Sequence, residues 1–183
     1  FLEDCEKRAI VNKDHEYLIE QIQYNNYTFD KSNDYKVNET LNINFNYCIK
    51  ELIWAFQRKN PLFYTEFLSL ADHDGSCKLI MDGQDRFKEQ NVLYFTRYQP
   101  NKYHTGRGGI TTPDSLFIYS FSLFPEKYEP SGVCNFSVLD KIQLQLNNIN
   151  LALDYNRDYD KGVDMVLFAV NYNILEIREG KVD

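Results

Sequence analysis

Residues 115–124, SLFIYSFSLF, run directly into residues 125–137, PEKYEPSGVCNFS, and this stretch decides the fold. The first segment is rich in aromatic side chains, which favour strands. It is predicted to end at Pro125, because proline has no backbone N–H for a ladder. In the second segment, Pro-Ser-Gly at 130–132 predicts a turn, since proline presets φ and glycine tolerates positive φ. We interpret the stretch as two strands joined by a rigid corner.

Two residues after the turn have side chains that can hydrogen-bond to nearby backbone groups. Asn135 and Ser137 are predicted to bond neighbouring backbone and to fix the start of the next strand. Phe136 is predicted to point to the opposite face and to anchor the core. A ligand-binding loop is the alternative interpretation. The predicted structural corner consists of Pro125, Pro130, Ser131, Gly132, Asn135, Phe136 and Ser137.

Further strands are predicted on both sides of the corner. Residues 35–46, YKVNETLNINFN, alternate apolar and polar side chains, as in a half-buried antiparallel strand. The side chains that are predicted to share one face are Glu39 and the apolar residues Tyr35, Val37, Leu41, Ile43 and Phe45. Other strands are predicted at 15–24, 49–57, 78–81, 141–149 and 165–178.

The connections are predicted to be long and uneven. Turns are predicted at Asn25-Asn26 and Asp82-Gly83. A turn or short helix is expected between Glu3 and Asp14, a helix within 86–98, and a long surface loop at 100–114. Many strands with little helix and no βαβ alternation predict an all-β protein. We expect an antiparallel β-sandwich with jelly-roll topology, long loops and one or two short helices.

Composition limits the partners that the chain is expected to have. Aromatic residues make up 15% of the 183 residues, which suits a protein that buries large areas in its core or against neighbours. The net charge is −7 and no Lys/Arg run occurs, so direct binding of nucleic acid is not expected. No apolar run is long enough to span a membrane, so no membrane insertion is expected. The chain begins Phe-Leu-Glu without Met, which suggests a fragment or a processed chain.

No catalytic residues and no cofactor are predicted. The three histidines form no HxH or HExxH motif, and the four cysteines are too scattered for a zinc site. One acidic loop has a rhythm of oxygen ligands but lacks the glycine and terminal Glu of an EF-hand, so a solvated turn is the main interpretation. Its weak candidate metal ligands are Asp154, Asn156, Asp158 and Asp160.

Two groups of aromatic residues are candidates for contacts. Trp54 and its neighbour Phe56, together with Phe121, are predicted to lie in the core or at an interface between domains or subunits. Tyr98, Tyr103 and His104 belong to segment 98–114, which is predicted either to contact neighbouring subunits or to be a solvated loop.

Six segments, read in order, resemble one protein family. They are HEYLIEQIQ (15–23), KELIWAFQ (50–57), MDGQDRF (81–87), YF…QP…HT (94–105), YSFSLFPEKYEPSGVCNFSVLD (119–140) and NYNIL (171–175). These segments resemble the major capsid protein of nucleocytoplasmic large DNA viruses, over nearly the whole chain.

The resemblance implies a structural role and no enzymatic activity. The family's subunit has two tandem jelly rolls, and residues 1–183 resemble the second as a single domain. Three subunits are expected to form a pseudo-hexagonal capsomer that contacts neighbouring capsomers and minor capsid proteins of an icosahedral virion, assembled in the host cytoplasm. A carbohydrate- or receptor-binding jelly roll on a virion or cell surface is the alternative, because sandwich folds host both roles.

Overall fold

The computed structural model describes residue 3 and residues 13–29, 36–59, 67–105, 114–152, 162–178 and 181–182. The strands are β1 (His15–Phe29), β2 (Lys36–Asn42), β3 (Cys48–Arg58), β4 (Ser76–Met81), β5 (Gln84–Asp85), β6 (Gln90–Asn91), β7 (Leu116–Ser120), β8 (Cys134–Asn135), β9 (Ile142–Asn150), β10 (Val163–Arg178) and β11 (Lys181–Val182). The helical elements among these residues are a π-helix (Tyr94–Tyr98), an α-helix (Gln99–Tyr103) and a 3-10 helix (Phe136–Val138).

The strands form two antiparallel sheets. Sheet A has the order β1-β10-β3-β7, and sheet B has the order β2-β9-β4-β5. The longer strands alternate between the sheets along the chain, so that β1, β3, β7 and β10 lie in sheet A while β2, β4 and β9 lie in sheet B. This repeated crossing between two sheets is jelly-roll topology, and it confirms the predicted all-β sandwich.

The core lies between the sheets because alternate side chains of each strand point inward. Leu52, Trp54 and Phe56 of β3 face it from sheet A, and Leu79 and Leu144 face it from sheet B. All five side chains are buried. Full burial of one such side chain contributes roughly 1.5–3 kcal/mol, so this layer accounts for much of the gain in free energy on folding.

The predicted alternation of β2 is confirmed at four positions. Val37, Leu41, Ile43 and Phe45 are buried, although the strand ends at Asn42. Glu39 is exposed, because the pairing of β2 with β9 shifts register between Val37 and Glu39.

The turn predicted at Asn25-Asn26 is wrong. Strand β1 continues through both residues to Phe29, and its pairing with β10 has no register shift, with Asn25 opposite Leu167 and Asn26 opposite Val166. Asparagine favours turns and is depleted in strands, but the unbroken ladder with β10 overrides that local preference.

The prediction that Pro125 ends the strand at 115–124 is also wrong, because β7 ends at Ser120. The backbone N–H groups of Phe121 and Ser122 both donate to the carbonyl of Lys50, at 2.9 and 3.2 Å. In regular antiparallel pairing, alternate residues of a strand hydrogen-bond to the neighbouring strand. Two successive N–H groups that share the Lys50 carbonyl therefore end the regular pairing of β7 with β3.

The helix predicted within 86–98 is confirmed at the end of that range, where the π-helix Tyr94–Tyr98 lies, and helical structure continues beyond it. Short strands β5 and β6 come first, and the π-helix leads directly into the α-helix that ends at Tyr103. The predicted loop at 100–114 is therefore helical at its start. Pro100 is compatible with this because it stands in the first turn of the α-helix, where a missing N–H costs nothing.

Some predictions fall on residues that the structure does not describe. They concern Tyr35, most of the segment between Glu3 and Asp14, residues 106–113 of the predicted loop, and the acidic loop with Asp154, Asn156, Asp158 and Asp160.

Candidate functional site

The corner after β7 is closed by Ser131. Its Oγ accepts a hydrogen bond from the backbone N–H of Phe124 at 2.8 Å and lies 2.6 Å from the Oγ of Ser122. The backbone N–H of Leu123 donates to the Ser131 carbonyl at 3.3 Å. Pro125 is buried at the tip of this loop and Pro130 is exposed. These bonds hold residues 122–131 as a closed loop.

Gly132 occupies a position that other residues cannot take without strain. Its φ is +143°, and a Cβ placed there would lie 2.8 Å from the carbonyl oxygen of Phe121. The chain therefore passes close to the end of β7 only because this residue has no side chain.

The far side of the corner is tied to the residues that precede β3. The Asn135 side chain accepts from the backbone N–H of Ser137 at 3.0 Å and so caps the 3-10 helix. The Oγ of Ser137 accepts from the backbone N–H of Tyr47 at 2.7 Å. The residues after the corner thus form the two-residue strand β8 and a 3-10 helix.

Aromatic rings fill the interior beside the corner. The ring of Phe136 is buried and lies 5.7 Å from that of Phe121, edge to face. The Trp54 ring lies 5.4 Å from Phe117 and 5.3 Å from Phe95, and Phe56 also packs on Phe117. The structure therefore places Trp54 and Phe56 in the core and leaves Phe121 partly exposed.

The helical segment 94–103 presents aromatic rings to solvent. Tyr98 is exposed, and its ring stacks on that of Tyr94 at 5.3 Å. The ammonium group of Lys102 lies 5.5 Å from the centre of the Tyr98 ring and 5.1 Å from that of Tyr103. These cation–π contacts hold the two tyrosines in place on the surface.

His104 connects the helical segment to the corner. Its Nε2 lies 3.0 Å from Oε2 of Glu51 on β3, and its Nδ1 lies 3.5 Å from Oε1 of Glu126 in the corner loop. The backbone N–H of Thr105 also donates to that Glu126 oxygen, at 2.7 Å. The hydrogen bond with Glu51 raises the pKa of His104, helped by the charges of both carboxylates and opposed by desolvation.

Lys50 makes a second link between the corner and sheet A. Its ammonium group is buried, and it donates to Oε1 of Glu20 at 2.5 Å and to the carbonyl of Pro125 at 2.7 Å. Pairing of β3 with β10 shifts register between Val170 and Asn171, beside Lys50. Sequence reasoning missed both Lys50 and Glu51, because a β-bulge has no reliable local signature.

Asp114 joins three segments at the other end of β7. Its carboxylate accepts from Nε of Arg97 at 2.9 Å and from a terminal guanidinium nitrogen of Arg97 at 2.6 Å. Nε2 of His73 lies 2.8 Å from the same carboxylate. The hydrogen bonds from Arg97 are the main reason that the pKa of Asp114 is lowered. Sequence reasoning missed this cluster, whose members lie far apart in the chain.

In residues 13–29, 36–59, 67–105, 114–152 and 162–178, no group of three or more His, Cys, Asp or Glu side chains could hold a metal ion. None of the helices in the described residues combines the length and the apolar character needed to cross a membrane.

The structure brings together two features that the sequence suggested separately, since the corner loop and the segment ending at His104 meet above the bulge in β3. Two sheets with this alternating strand order define a jelly-roll β-sandwich, the architecture of viral capsid domains, lectin domains and cupins. A family profile for the large eukaryotic DNA virus major capsid protein matches residues 6–182. The chain belongs to this family.

Individual relatives agree with the family match. The chain is 32% identical to the major capsid protein of Pyramimonas orientalis virus, over 98% of the chain and 45% of that protein. It is 29% identical to that of Paramecium bursaria Chlorella virus 1, over 98% of the chain and 50% of that protein. The chain therefore spans about half the length of these curated relatives.

Solved structures show the same relationship. PBCV-1 VP54, fitted into a reconstruction of the virophage Sputnik, superposes with a TM-score of 0.79 at 26% identity, over 100% of this chain and 54% of that chain. The Faustovirus major capsid protein superposes with a TM-score of 0.65 at 10% identity, over 97% of this chain and 36% of that chain, and so supports the fold alone.

Proposed function

We propose that this chain is the second jelly roll of a double jelly-roll capsid subunit and that it serves a structural, non-enzymatic role in the virion. The observation that carries the proposal is the superposition of the whole chain on about half of PBCV-1 VP54 at a TM-score of 0.79. The match of the family profile to residues 6–182 supports it.

The assembly that we propose is a trimer. Three copies of the subunit form a pseudo-hexagonal capsomer, which contacts neighbouring capsomers and minor capsid proteins in an icosahedral shell assembled in the host cytoplasm. Large interfaces with apolar centres would stabilise such a particle, and closed three-fold symmetry limits its size. The proposed role involves no direct contact with nucleic acid, no membrane insertion and no cofactor.

Antibodies raised against the chain test the proposal on virus particles. We expect immunogold labelling of intact virions, and light scattering of capsomers released from those virions should give three subunits per particle. Unlabelled virions, or capsomers with another copy number, would contradict the proposal. Tight binding of the monomeric chain to a glycan array would instead favour the carbohydrate-binding alternative.

A further inference from the structure

Two carboxylates flank the imidazole of His104 from different elements. Oε2 of Glu51, on β3, lies 3.0 Å from Nε2, and Oε1 of Glu126, in the corner loop, lies 3.5 Å from Nδ1. Both ring nitrogens of a histidine can donate a hydrogen bond only when the ring is protonated. A neutral His104 can therefore donate to one of the two carboxylates, whereas the imidazolium can hold both.

Glu126 links His104 to the next residue of the chain. Its Oε1 atom, which faces the imidazole, also accepts from the backbone N–H of Thr105 at 2.7 Å. Hydrogen bonds from Thr105 lower the pKa of Glu126, and the charge of His104 lowers it further. This carboxylate is therefore ionised at neutral pH, and one of its oxygen atoms joins His104, Thr105 and the corner loop.

The other cations beside the corner have partners of their own. The buried ammonium group of Lys50 donates to Glu20 at 2.5 Å. The ammonium group of Lys127, in the corner loop, lies 4.6 Å from the centre of the Phe124 ring. His104 is the cation that lies between the two carboxylates of β3 and the corner loop.

The remaining titratable groups around His104 keep their charge near neutral pH. Desolvation raises the pKa of the Tyr172 hydroxyl on β10, and the charges of Glu20 and Glu51 raise it further. On the helical segment itself, hydrogen bonds with two tyrosine side chains raise the pKa of Lys102. Histidine ordinarily titrates near pH 6.5, so the charge of this cluster changes between about pH 6 and 9 through His104.

We propose that His104 is a pH-operated latch that fastens the end of the helical segment, at His104 and Thr105, to the corner loop. The imidazolium closes the latch by holding Glu51 and Glu126 at the same time. Loss of the proton leaves two carboxylates beside one neutral ring, and their repulsion favours separation of the corner loop from the helical segment. The latch is closed at mildly acidic pH and opens as the ring is deprotonated.

Opening of the latch is local, because other links hold the corner loop on sheet A. Lys50 donates to the carbonyl of Pro125, and the hydroxyl of Tyr128 donates to the carbonyl of Leu18. The loop also carries the exposed side chain of Phe124. A closed latch adds one more fixed point to this loop, so pH regulates how rigidly the loop presents its apolar side chains. The latch does not depend on the proposed function.

Millisecond hydrogen exchange of the full chain, read by mass spectrometry at Thr105 and corrected for the intrinsic rate at each pH, tests the latch. We expect protection of the Thr105 amide to fall about fivefold or more between pH 6 and 9, because a charge-assisted hydrogen bond is lost. The midpoint should coincide with the titration of the His104 ring, followed by NMR. In His104→Gln, protection should change by less than about twofold, because glutamine does not titrate.

His73→Gln is the matched control. His73 also lies against a carboxylate, since its Nε2 is 2.8 Å from Asp114 at the other end of β7. This variant should keep the wild-type profile at Thr105, and near-UV circular dichroism of each variant checks that the sandwich is intact. A wild-type profile that is flat between pH 6 and 9 overturns the inference. So does a pH dependence that persists in His104→Gln or disappears in His73→Gln.

Discussion

Nε2 of His104 lies 3.0 Å from Oε2 of Glu51, and this ion pair joins the end of the helical segment to the bulged part of β3. Both side chains are largely shielded from solvent. Glu126 approaches the other ring nitrogen, so the imidazolium bridges sheet A and the corner loop. The contact couples the stability of this end of the sandwich to pH.

Stability should fall as pH rises through the pKa of His104. That pKa is raised above its ordinary value near 6.5, so the contribution is complete below about pH 6.5 and is lost above the folded-state pKa. We expect wild type to exceed His104→Gln by about 1 kcal/mol in unfolding free energy near pH 6, and by much less near pH 9. Urea titrations across this range measure it. A difference that does not change with pH would contradict the assignment.

Asp114→Ala should destabilise the protein by roughly 2–3 kcal/mol, because it removes a buried carboxylate that accepts two hydrogen bonds from Arg97 and lies 2.8 Å from Nε2 of His73. Asp85→Ala is the control. Its partner Lys78 lies 3.1 Å away in an exposed pair, and exposed pairs contribute less than about 1 kcal/mol. Urea midpoints compare the two variants, and equal losses would argue against a special role for Asp114.

Gly132→Ala should cost roughly 2 kcal/mol or more, since a Cβ there meets the Phe121 carbonyl at 2.8 Å and the φ of +143° is unfavourable. Gly83→Ala separates the two effects. Gly83 also has positive φ, at +78°, but a Cβ there meets nothing within 4 Å, so we expect only about 1 kcal/mol. Thermal unfolding of both variants tests this ranking. A larger loss of stability in Gly83→Ala than in Gly132→Ala would contradict the prediction.

Phe95→Ala should destabilise the protein by about 3 kcal/mol or more, because the buried ring packs against Trp54 and its loss leaves a cavity. Tyr98→Ala, on the exposed side of the same π-helix, should cost less than about 1 kcal/mol. Fluorescence of the single tryptophan reports unfolding directly. A loss for Phe95→Ala as small as that for Tyr98→Ala would contradict the placement of Phe95 in the core.

Local sequence predicted most strands correctly, where one face of a strand is buried. The alternation at Val37 and Leu41 identified β2, and the apolar run around Trp54 identified β3. Predictions failed where a distant partner overrides a local preference. Asn25 and Asn26 lie in a strand because β10 pairs with them, and β7 stops early because Lys50 accepts two of the following N–H groups.

The sequence by itself determined an acidic, aromatic-rich β-sandwich with a glycine-dependent corner, and its motifs indicated the capsid family. Only the tertiary structure decided which groups meet. It placed His104 beside Glu51 and joined Asp114 to Arg97. The physical reason is that alternation specifies two faces for each strand, whereas the register between strands distant in sequence determines each side chain's neighbours.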